Sequence, residues 1–353
     1  MYPRFSLILM ATHACNLRCS YCYVGQKSAR SMPEAIGRKA IDRAMASLEP
    51  GGELQLGFFG GEPLLEADLI AGLIAYAQAQ ARKSDVRVSP GLTTNGTVDG
   101  TRAWRLMTLP ELSLAVSCDG RSEVHDRHRR FPDGRGSSPI VLSTLRRLIE
   151  GGNECRVVMV VRPETVDSLP DGIAFLRELG IRRIEPSLDL WTRWEPEAIE
   201  RLEAVVGRVA ELWREALPDF GLSWLDEKIA RLACGGTGDS MRCAFGNGEL
   251  AVAPSGRLYP CERLIGEDAE NNPMRLPGHV LDGEDFLRPS PWPERCTSAC
   301  GQCAIESNCN TTCRCSNNAR TGEPGRPDGL LCRWSQACAR EIARLVQSPS
   351  SAS

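Results

Sequence analysis

Three cysteines, Cys15, Cys19 and Cys22, lie within eight residues near the start of the chain. Thiolates are soft ligands that suit iron–sulfur clusters, in which each iron of a cubane takes one cysteine. Three cysteines on one loop would leave the fourth iron open to a ligand that is not protein. A zinc site completed by His13 is the alternative. The spacing therefore predicts a metal centre with one open position.

The remaining cysteines are concentrated in the second half of the chain. There are 16 cysteines in 353 residues, and eleven of them lie from Cys234 onward. The formal net charge is -3, no apolar stretch approaches the length of a membrane span, and the N-terminus lacks a signal-peptide pattern. We therefore expect a cytoplasmic protein whose main partner is neither nucleic acid nor a membrane. In a reducing compartment, clustered cysteines are metal ligands more often than disulfides.

Apolar and amphipathic runs alternate between residues 5 and 190, and these elements must position the first three cysteines. The strand-like runs are FSLILMAT, ELQLGFF, VRVSPGLTTN, LSLAVSCDG, CRVVMVV and RRIEPSL. Helical patterns such as EADLIAGLIAYAQAQARK and SPIVLSTLRRLIEGG lie between them. Six strand-then-helix units predict a parallel α/β sheet, either open and doubly wound or a partial six-stranded barrel. Ligands bind at the C-terminal ends of such strands, and the three cysteines directly follow the first strand.

The composition changes near residue 220, after the helical pattern EPEAIERLEAVVGRVAELWREAL. Gly, Pro, Cys and Asn become frequent, and we expect loops to dominate until a last helix, RWSQACAREIARLVQS. A loop-rich segment of about a hundred residues needs stabilisation besides an apolar core, and metal clusters supply it. We predict a barrel over 1–220, a cysteine-rich domain over 221–340, and a helix end with a frayed tail over 341–353.

The pattern Cys15-x3-Cys19-x2-Cys22, with Tyr21 before the last cysteine, resembles the signature of the radical S-adenosylmethionine (SAM) superfamily. The resemblance extends to FFGGEP at 58–63, TTNGT at 93–97, SCDG at 117–120 and HDRHR at 125–129. It implies a partial (β/α)6 TIM-type barrel in which a 4Fe-4S cluster binds SAM and cleaves it to a 5′-deoxyadenosyl radical. The same resemblance implies that the SAM-binding residues are Tyr21, Gly60, Gly61, Glu62, Asn95, Ser117, Arg129 and Leu188.

The physical logic of these positions differs from one to the next. Gly60 and Gly61 permit close backbone approach, and Glu62 can pair with an ammonium group. For Ser117 and Arg129, a binding role and a structural role are both open. For His125 and His128 we expect a solvated basic loop. The arginine-rich segment 121–135 would attract an acidic peptide, although a solvated loop is the default interpretation.

The later cysteines resemble the SPASM extension of peptide- and protein-modifying radical SAM enzymes. The resemblance implies two further 4Fe-4S clusters, three in all. It assigns Cys234, Cys243, Cys261 and Cys313 to auxiliary cluster I, and Cys300, Cys303, Cys309 and Cys332 to auxiliary cluster II. Cys296, Cys315 and Cys338 lie close to these ligands in the sequence and could replace one. Cys118 and Cys155 lie on apolar strands and are interpreted as buried side chains.

Glu262 directly follows Cys261, at the position where anaerobic sulfatase-maturating enzymes carry an aspartate that acts as general base. A carboxylate near a cluster can accept a proton from the substrate. A surface ion pair between Glu262 and Arg263 is the alternative.

Together these features predict a radical SAM oxidoreductase that takes hydrogen from a ribosomally made peptide and forms a carbon–carbon, carbon–oxygen or thioether cross-link. The expected partners are a precursor peptide and an electron donor such as flavodoxin or ferredoxin. Because the first strand starts at residue 5, we expect a separate leader-binding protein or direct recognition of the peptide. The alternatives are a sulfatase-type maturase that makes formylglycine and a small-molecule dehydrogenase with fewer auxiliary ligands. A pure electron carrier would ligate every iron and cleave no SAM.

Overall fold

The computed structural model describes residues 1–233, 243, 245–287, 291, 300–306, 309 and 313–347. Two compact units are distinguished by their internal contacts. The first contains Met1–Ser117, Asp126–Cys155 and Ala244–Trp292, and the second contains Cys118–His125, Arg156–Cys243 and Pro293–Ser353. The domain boundary near residue 220 stays a prediction.

The strands follow the predicted order. They are β1 (Tyr2–Thr12), β2 (Leu48–Gly60), β3 (Arg87–Thr94), β4 (Ser113–Ser117), β5 (Arg156–Val161), β6 (Arg183–Leu188), β7 (Gly221–Leu222), β8 (Glu249–Val252) and β9 (Leu258–Tyr259). The helices are α1 (Glu34–Ala46), α2 (Ala67–Ser84), α3 (Thr101–Met107), α4 (Ser122–His128), α5 (Ser138–Glu150), α6 (Leu169–Glu178), α7 (Pro196–Glu215), α8 (Ser223–Ala233), α9 (Arg314–Thr321) and α10 (Gly329–Gln347).

The first unit is built on the sheet order β4-β3-β2-β1-β8-β9. β1 pairs in parallel with both β2 and β8, and β9 runs antiparallel to β8. Phe5, Leu7 and Leu9 in β1 have no exposed surface, as expected of a central parallel strand. Because β1, β2, β3 and β4 run parallel, the loops that follow them emerge at one edge of the sheet.

In the second unit, β5, β6 and β7 pair in parallel, and α10 packs on α7 and α8. The predicted α/β class, the parallel strands and the C-terminal helix are confirmed. The expectation that loops dominate after residue 220 is incomplete, because α8, β8, β9 and α9 also form there. The segment that forms α8 was overlooked because the buried face of this helix contains a lysine, Lys228, which breaks the apolar pattern. None of the described helices has the combination of length and apolar character that a membrane span requires.

Candidate functional site

The loop that follows β1 holds the first three cysteines. Cys15, Cys19 and Cys22 are each half-buried, and the Cys22 N–H donates to the Cys19 carbonyl at 3.2 Å. The Leu17 N–H donates to the Cys15 sulfur at 3.4 Å, and the Lys27 ammonium donates to the Cys22 sulfur at 2.8 Å. Donors of this kind stabilise thiolates and therefore favour a loop that binds metal.

The Cys15 thiol responds to burial and to charges on neighbouring residues. Burial raises the pKa of the Cys15 thiol, the Leu17 N–H lowers it, and negative charge at Glu62 and Cys22 raises it further. Among the described residues, which include His13 and all three cysteines, no three His, Cys, Asp or Glu side chains are arranged to hold one metal ion. Both a cluster and a zinc site completed by His13 stay predictions for this loop. In a cubane each thiolate binds a different iron, so the sulfurs need not converge on one point.

The segment GGEP runs directly along the cysteine loop. The Gly61 N–H donates to the Thr12 carbonyl and the Glu62 N–H donates to the Ala14 carbonyl, both at 2.8 Å. A Cβ atom added to Gly61 would lie 2.2 Å from the Ala14 oxygen, and one added to Gly60 would lie 2.5 Å from the Thr12 oxygen. The two glycines therefore permit close approach to the chain's own cysteine loop, and this approach fixes where the loop begins.

Glu62 is completely buried, and its carboxylate accepts three hydrogen bonds. Its Oε1 accepts from the Leu64 N–H at 3.0 Å and from the Thr94 hydroxyl at 2.7 Å, while its Oε2 accepts from the Asn95 N–H at 2.7 Å. Burial raises the pKa of Glu62, whereas these donors and the positive charge of Arg129 lower it. The carboxylate is therefore held in one orientation, in a place where an incoming ammonium group would favour its charged form.

Asn95 connects the end of β3 to the cysteine loop. Its Nδ2 donates to the Asn16 Oδ1 at 2.9 Å and lies 3.9 Å from the Cys15 sulfur. The Asn16 amide donates in turn to the Thr97 hydroxyl at 2.8 Å. This polar network was not predicted from the sequence, although its members all follow strands β1 and β3. It makes Asn95 a neighbour of both Glu62 and Cys15.

The segment after α4 contacts the same loop from another direction. The Ser20 hydroxyl and the His128 Nδ1 share a hydrogen bond of 2.8 Å, and the Arg18 N–H donates to the Arg130 carbonyl at 2.7 Å. The Arg129 guanidinium is buried and lies 5.3 Å from the centre of the Tyr21 ring. Tyr21, Glu62 and Arg129 are thus brought together in the first unit.

The expectation of a solvated loop around the two histidines is wrong. His125 and His128 are both buried, and the His125 Nδ1 accepts a hydrogen bond from the Asp119 N–H at 3.2 Å. In sequence, the charges of HDRHR hide this burial, which for His128 is accompanied by a hydrogen bond to Ser20 of the cysteine loop.

Two further predicted SAM-binding residues lie at strand ends. Ser117 ends β4 in the first unit and is buried, and Leu188 ends β6 in the second unit and is also buried. Of the two cysteines interpreted as buried side chains, Cys118 is buried and Cys155 is half-buried. Burial raises the pKa of Cys155 to about 11.

Glu262 lies beside the cysteine loop. Its Oε2 accepts from the Cys261 thiol at 3.2 Å. Burial raises the pKa of Tyr23 well above its usual value, and the charge of Glu262 raises it further. Tyr23 directly follows Cys22 and stacks on Phe59, with ring centres 6.0 Å apart. The first unit therefore brings Glu262 and Cys261 close to the residue that follows the last cysteine of the loop.

The other residues assigned to auxiliary cluster I are described in part. Cys243 and Cys313 are half-buried, whereas Cys234 lies outside the described residues, as does Cys296. Cys313 precedes α9, and its sulfur accepts from the Ser316 hydroxyl at 3.1 Å. The Cys315 sulfur is 3.4 Å from the Cys313 sulfur, so Cys315 remains a competing ligand.

The four cysteines assigned to auxiliary cluster II lie near one another in the second unit. Burial raises the pKa of Cys332 to about 11, and negative charge at Cys309, Cys300 and Cys303 raises it further. Turns form on either side of this segment. The Cys303 N–H donates to the Cys300 carbonyl, and the Cys309 N–H donates to the Glu306 carbonyl. Cys300, Cys303 and Cys309 therefore lie close enough to Cys332 for their charges to act on it.

Comparisons with known proteins identify the family. Residues 9–176 match the sequence model of the Radical SAM superfamily. This chain carries a radical SAM domain. Over 327 residues it is 27% identical to the serine-type anaerobic sulfatase-maturating enzyme of Klebsiella aerogenes, covering 87% of this chain and 78% of that relative. Over 340 residues it is 29% identical to the sporulation killing factor maturation protein SkfB of Bacillus subtilis (strain 168), covering 92% and 72%.

A solved structure agrees in fold over almost the whole chain. The structure of native anSMEcpe with bound AdoMet and the Cp18Cys peptide has a TM-score of 0.80 at 17% identity, covering 97% of this chain and 98% of that one. The predicted radical SAM domain is thereby confirmed, and the predicted α/β fold agrees with that of the solved structure. The maturation enzymes among the relatives are in line with the predicted SPASM resemblance. The family uses a 4Fe-4S cluster and SAM, and its maturases include both sulfatase-modifying and peptide-modifying enzymes.

Proposed function

We propose that this radical SAM enzyme matures a ribosomally made precursor peptide by removing hydrogen from one of its residues and forming a carbon–carbon, carbon–oxygen or thioether cross-link. The observation that supports this most is a second set of thiols in the second unit, where Cys300, Cys303 and Cys309 lie close enough to Cys332 to raise its pKa. A small-molecule dehydrogenase would need fewer auxiliary ligands. The similarity to SkfB, a maturation protein, points the same way.

In this proposal the residues of the first unit bind SAM and its cluster. Cys15, Cys19 and Cys22 hold the first cluster. Glu62 accepts the ammonium group of SAM, with Gly60 and Gly61 fixing the distance between that carboxylate and the cysteine loop. The residues assigned to the rest of SAM are Asn95, Tyr21, Ser117, Arg129 and Leu188. The chemistry that the clusters and SAM supply when bound is hydrogen abstraction by a radical, followed by acceptance of one electron from the substrate.

The structure supports a defined role for the Glu62 carboxylate. Its Oε1 accepts two hydrogen bonds, whereas its Oε2 accepts one, from the Asn95 N–H, and so retains acceptor capacity for an ammonium group. Since the group is fully buried, a charge-assisted hydrogen bond here is stronger than one in water. Arg129 adds positive charge near the same carboxylate and lowers its pKa.

Glu262 is proposed as the general base. A cross-link needs the loss of one proton in addition to the hydrogen atom and the electron, and Glu262 is half-buried between Cys261 and the neighbourhood of Tyr23. The half-buried position of Glu262 beside the cysteine loop supports this role over a surface ion pair with Arg263. Cys234, Cys243, Cys261 and Cys313 are proposed to hold auxiliary cluster I. The proposed electron donor is a flavodoxin or ferredoxin. The peptide is presented by a separate leader-binding protein or recognised directly by the enzyme.

Co-expression with a short peptide encoded beside the gene tests the proposal. The peptide would be produced at low oxygen with iron–sulfur assembly proteins, and its intact mass and fragments recorded. We expect a loss of two hydrogens and missing fragments between the two linked residues. The matched control is Cys22→Ala, which should leave the peptide unchanged. An unmodified peptide, alongside SAM cleavage by the purified enzyme, would contradict peptide cross-linking.

A sulfatase-type maturase is the second candidate, because the chain resembles a serine-type enzyme and places Glu262 next to Cys261. Oxidation of serine to formylglycine also removes two hydrogens, so mass alone does not separate the two functions. The aldehyde would react with a hydrazide probe and would leave the fragment series complete. A cross-linked peptide would not react with the probe and would lack fragments between the linked residues. The same peptide sample therefore distinguishes the two reactions.

A further inference from the structure

Helix α8 buries a lysine and exposes two apolar side chains. Lys228 is 1% exposed, whereas Ile229 and Leu232 of the same helix are 39% and 44% exposed. The sequence has four lysines, and Lys228 is the one that is buried. Burial of an ammonium group costs several kcal/mol of free energy unless acceptors or anions compensate it. The position therefore indicates a specific need for positive charge inside the second unit.

A short hydrogen-bonded chain connects this ammonium group to a proposed cluster ligand. The Lys228 Nζ donates to the Ser335 Oγ at 2.7 Å, and the Ser335 hydroxyl donates to the Cys309 sulfur at 3.5 Å. Ser335 is completely buried and lies three residues after Cys332 on α10, so the two side chains share a face of that helix. Through Ser335, Lys228 is therefore connected to Cys309 and lies near Cys332, two of the four proposed ligands.

The charges around Lys228 indicate what compensates it. Burial lowers the pKa of Lys228, and negative charge at Cys338 and Cys309 opposes that shift. Burial raises the pKa of the Cys338 thiol to about 12. Cys309 would carry negative charge as a cluster ligand, and a cubane held by four thiolates has a net negative charge. The Glu227 carboxylate also opposes the shift, and a cluster at Cys309 would add a second anion on the far side of the Ser335 hydroxyl.

We propose that Lys228 positions and tunes auxiliary cluster II: its ammonium group, acting through the Ser335 hydroxyl, orients Cys309 and makes the cluster on Cys300, Cys303, Cys309 and Cys332 easier to reduce. This inference rests on the proposed function, because it requires these cysteines to hold a cluster. Positive charge and hydrogen bonds near ligand sulfurs raise a reduction potential. A higher potential favours acceptance of the single electron that a peptide radical loses when its cross-link closes.

The test is a redox titration of the auxiliary clusters followed by electron paramagnetic resonance. The first cluster would be removed with Cys15→Ala, Cys19→Ala and Cys22→Ala, so that the remaining signals come from the auxiliary clusters. In this background, Lys228→Met should shift one signal to a more negative potential. A tenfold change in the reduction equilibrium would correspond to about 59 mV for one electron. Lys228→Arg, which keeps the charge, should restore the original potential.

Two further variants make the result specific. Ser335→Ala removes the link to Cys309 and should shift the same signal in the same direction. Lys83→Met removes an exposed lysine of α2 and should shift neither signal. An unchanged potential in Lys228→Met, or an equal shift in Lys83→Met, would overturn the proposal. If Lys228→Met lost its iron, the Ser335→Ala titration would decide, since no shift there also overturns it.

Iron and sulfide analysis separates failure of the inference from failure of the proposed function. The triple-cysteine background should retain iron and sulfide for the auxiliary clusters. A protein without either would refute the auxiliary ligand assignment, and with it both proposals. A protein with full iron content but an unmoved potential would refute the role of Lys228 alone.

Discussion

Replacing Gly61 with alanine should disrupt the cysteine loop through a single added methyl group. The new Cβ would lie 2.2 Å from the Ala14 oxygen and 2.7 Å from the Ala14 carbonyl carbon. Both are backbone atoms, so no side chain can rotate away. Non-bonded heavy atoms rest about 3.5 Å apart, so Ala14 would have to move by about 1 Å. Cys15 is the next residue and would move with it.

The expected cost of this substitution follows from the same contacts. Overpacking of a closely packed site typically costs about 1–3 kcal/mol. We expect the upper part of that range, because the shift also strains the hydrogen bonds from Gly61 to Thr12 and from Glu62 to Ala14. If only 1.4 kcal/mol of this cost fell on the bound state, SAM would bind about tenfold more weakly.

The assay compares Gly61→Ala with a matched glycine substitution. Gly72→Ala lies on an exposed face of α2, where an added Cβ meets nothing within 4 Å. It should stabilise the protein by about 0.5–1 kcal/mol, because alanine favours a helix interior. Iron per chain, SAM affinity and melting temperature would be measured for both variants. Gly61→Ala with the iron content and SAM affinity of the unmodified protein would refute the close-approach argument.

Three more predictions concern titratable side chains. Glu62→Gln should weaken SAM binding about tenfold or more, because the new amide would place a donor against the N–H of Asn95 or of Leu64. The control is Glu49→Gln at an exposed position, which should bind SAM normally. Glu262→Gln should slow peptide modification about a hundredfold while SAM cleavage continues, and an unchanged rate when chemistry limits turnover would exclude a general base. Alkylation of Cys155 by iodoacetamide should accelerate about tenfold per pH unit from pH 8 to 10. Its pKa of about 11 keeps the thiol mostly protonated over this range, so the reactive thiolate fraction rises about tenfold with each unit. A plateau below pH 9, measured by mass spectrometry, would contradict this.

The barrel strands could be predicted because each is an apolar run that a parallel sheet buries. The ends of those strands also located Glu62 and Asn95, since parallel strands deliver their following loops to one edge. The partners of Glu62 could have been found in the same way, because Thr94 and Asn95 end the neighbouring strand.

Contacts between distant segments could not be predicted from local patterns. The burial of His128 depends on pairing with Ser20, 108 residues earlier in the chain. Likewise, the contact of Lys228 with Ser335 joins residues 107 apart, and in sequence a lysine on an amphipathic helix is normally assigned to the solvent side. The local pattern of apolar residues cannot indicate a buried lysine, so neither α8 nor the burial of Lys228 could be predicted from it.

The most direct test of the account is SAM cleavage by three cluster-loaded proteins: the unmodified enzyme, Cys22→Ala and Cys303→Ala. The measurement is the yield of 5′-deoxyadenosine after reduction, together with iron per chain and the melting temperature. If the first loop holds the SAM-cleaving cluster and the second set of thiols serves product formation, Cys22→Ala should yield none, whereas Cys303→Ala should still cleave SAM without modifying the peptide. Cleavage by Cys22→Ala at the rate of the unmodified enzyme would contradict the central claim.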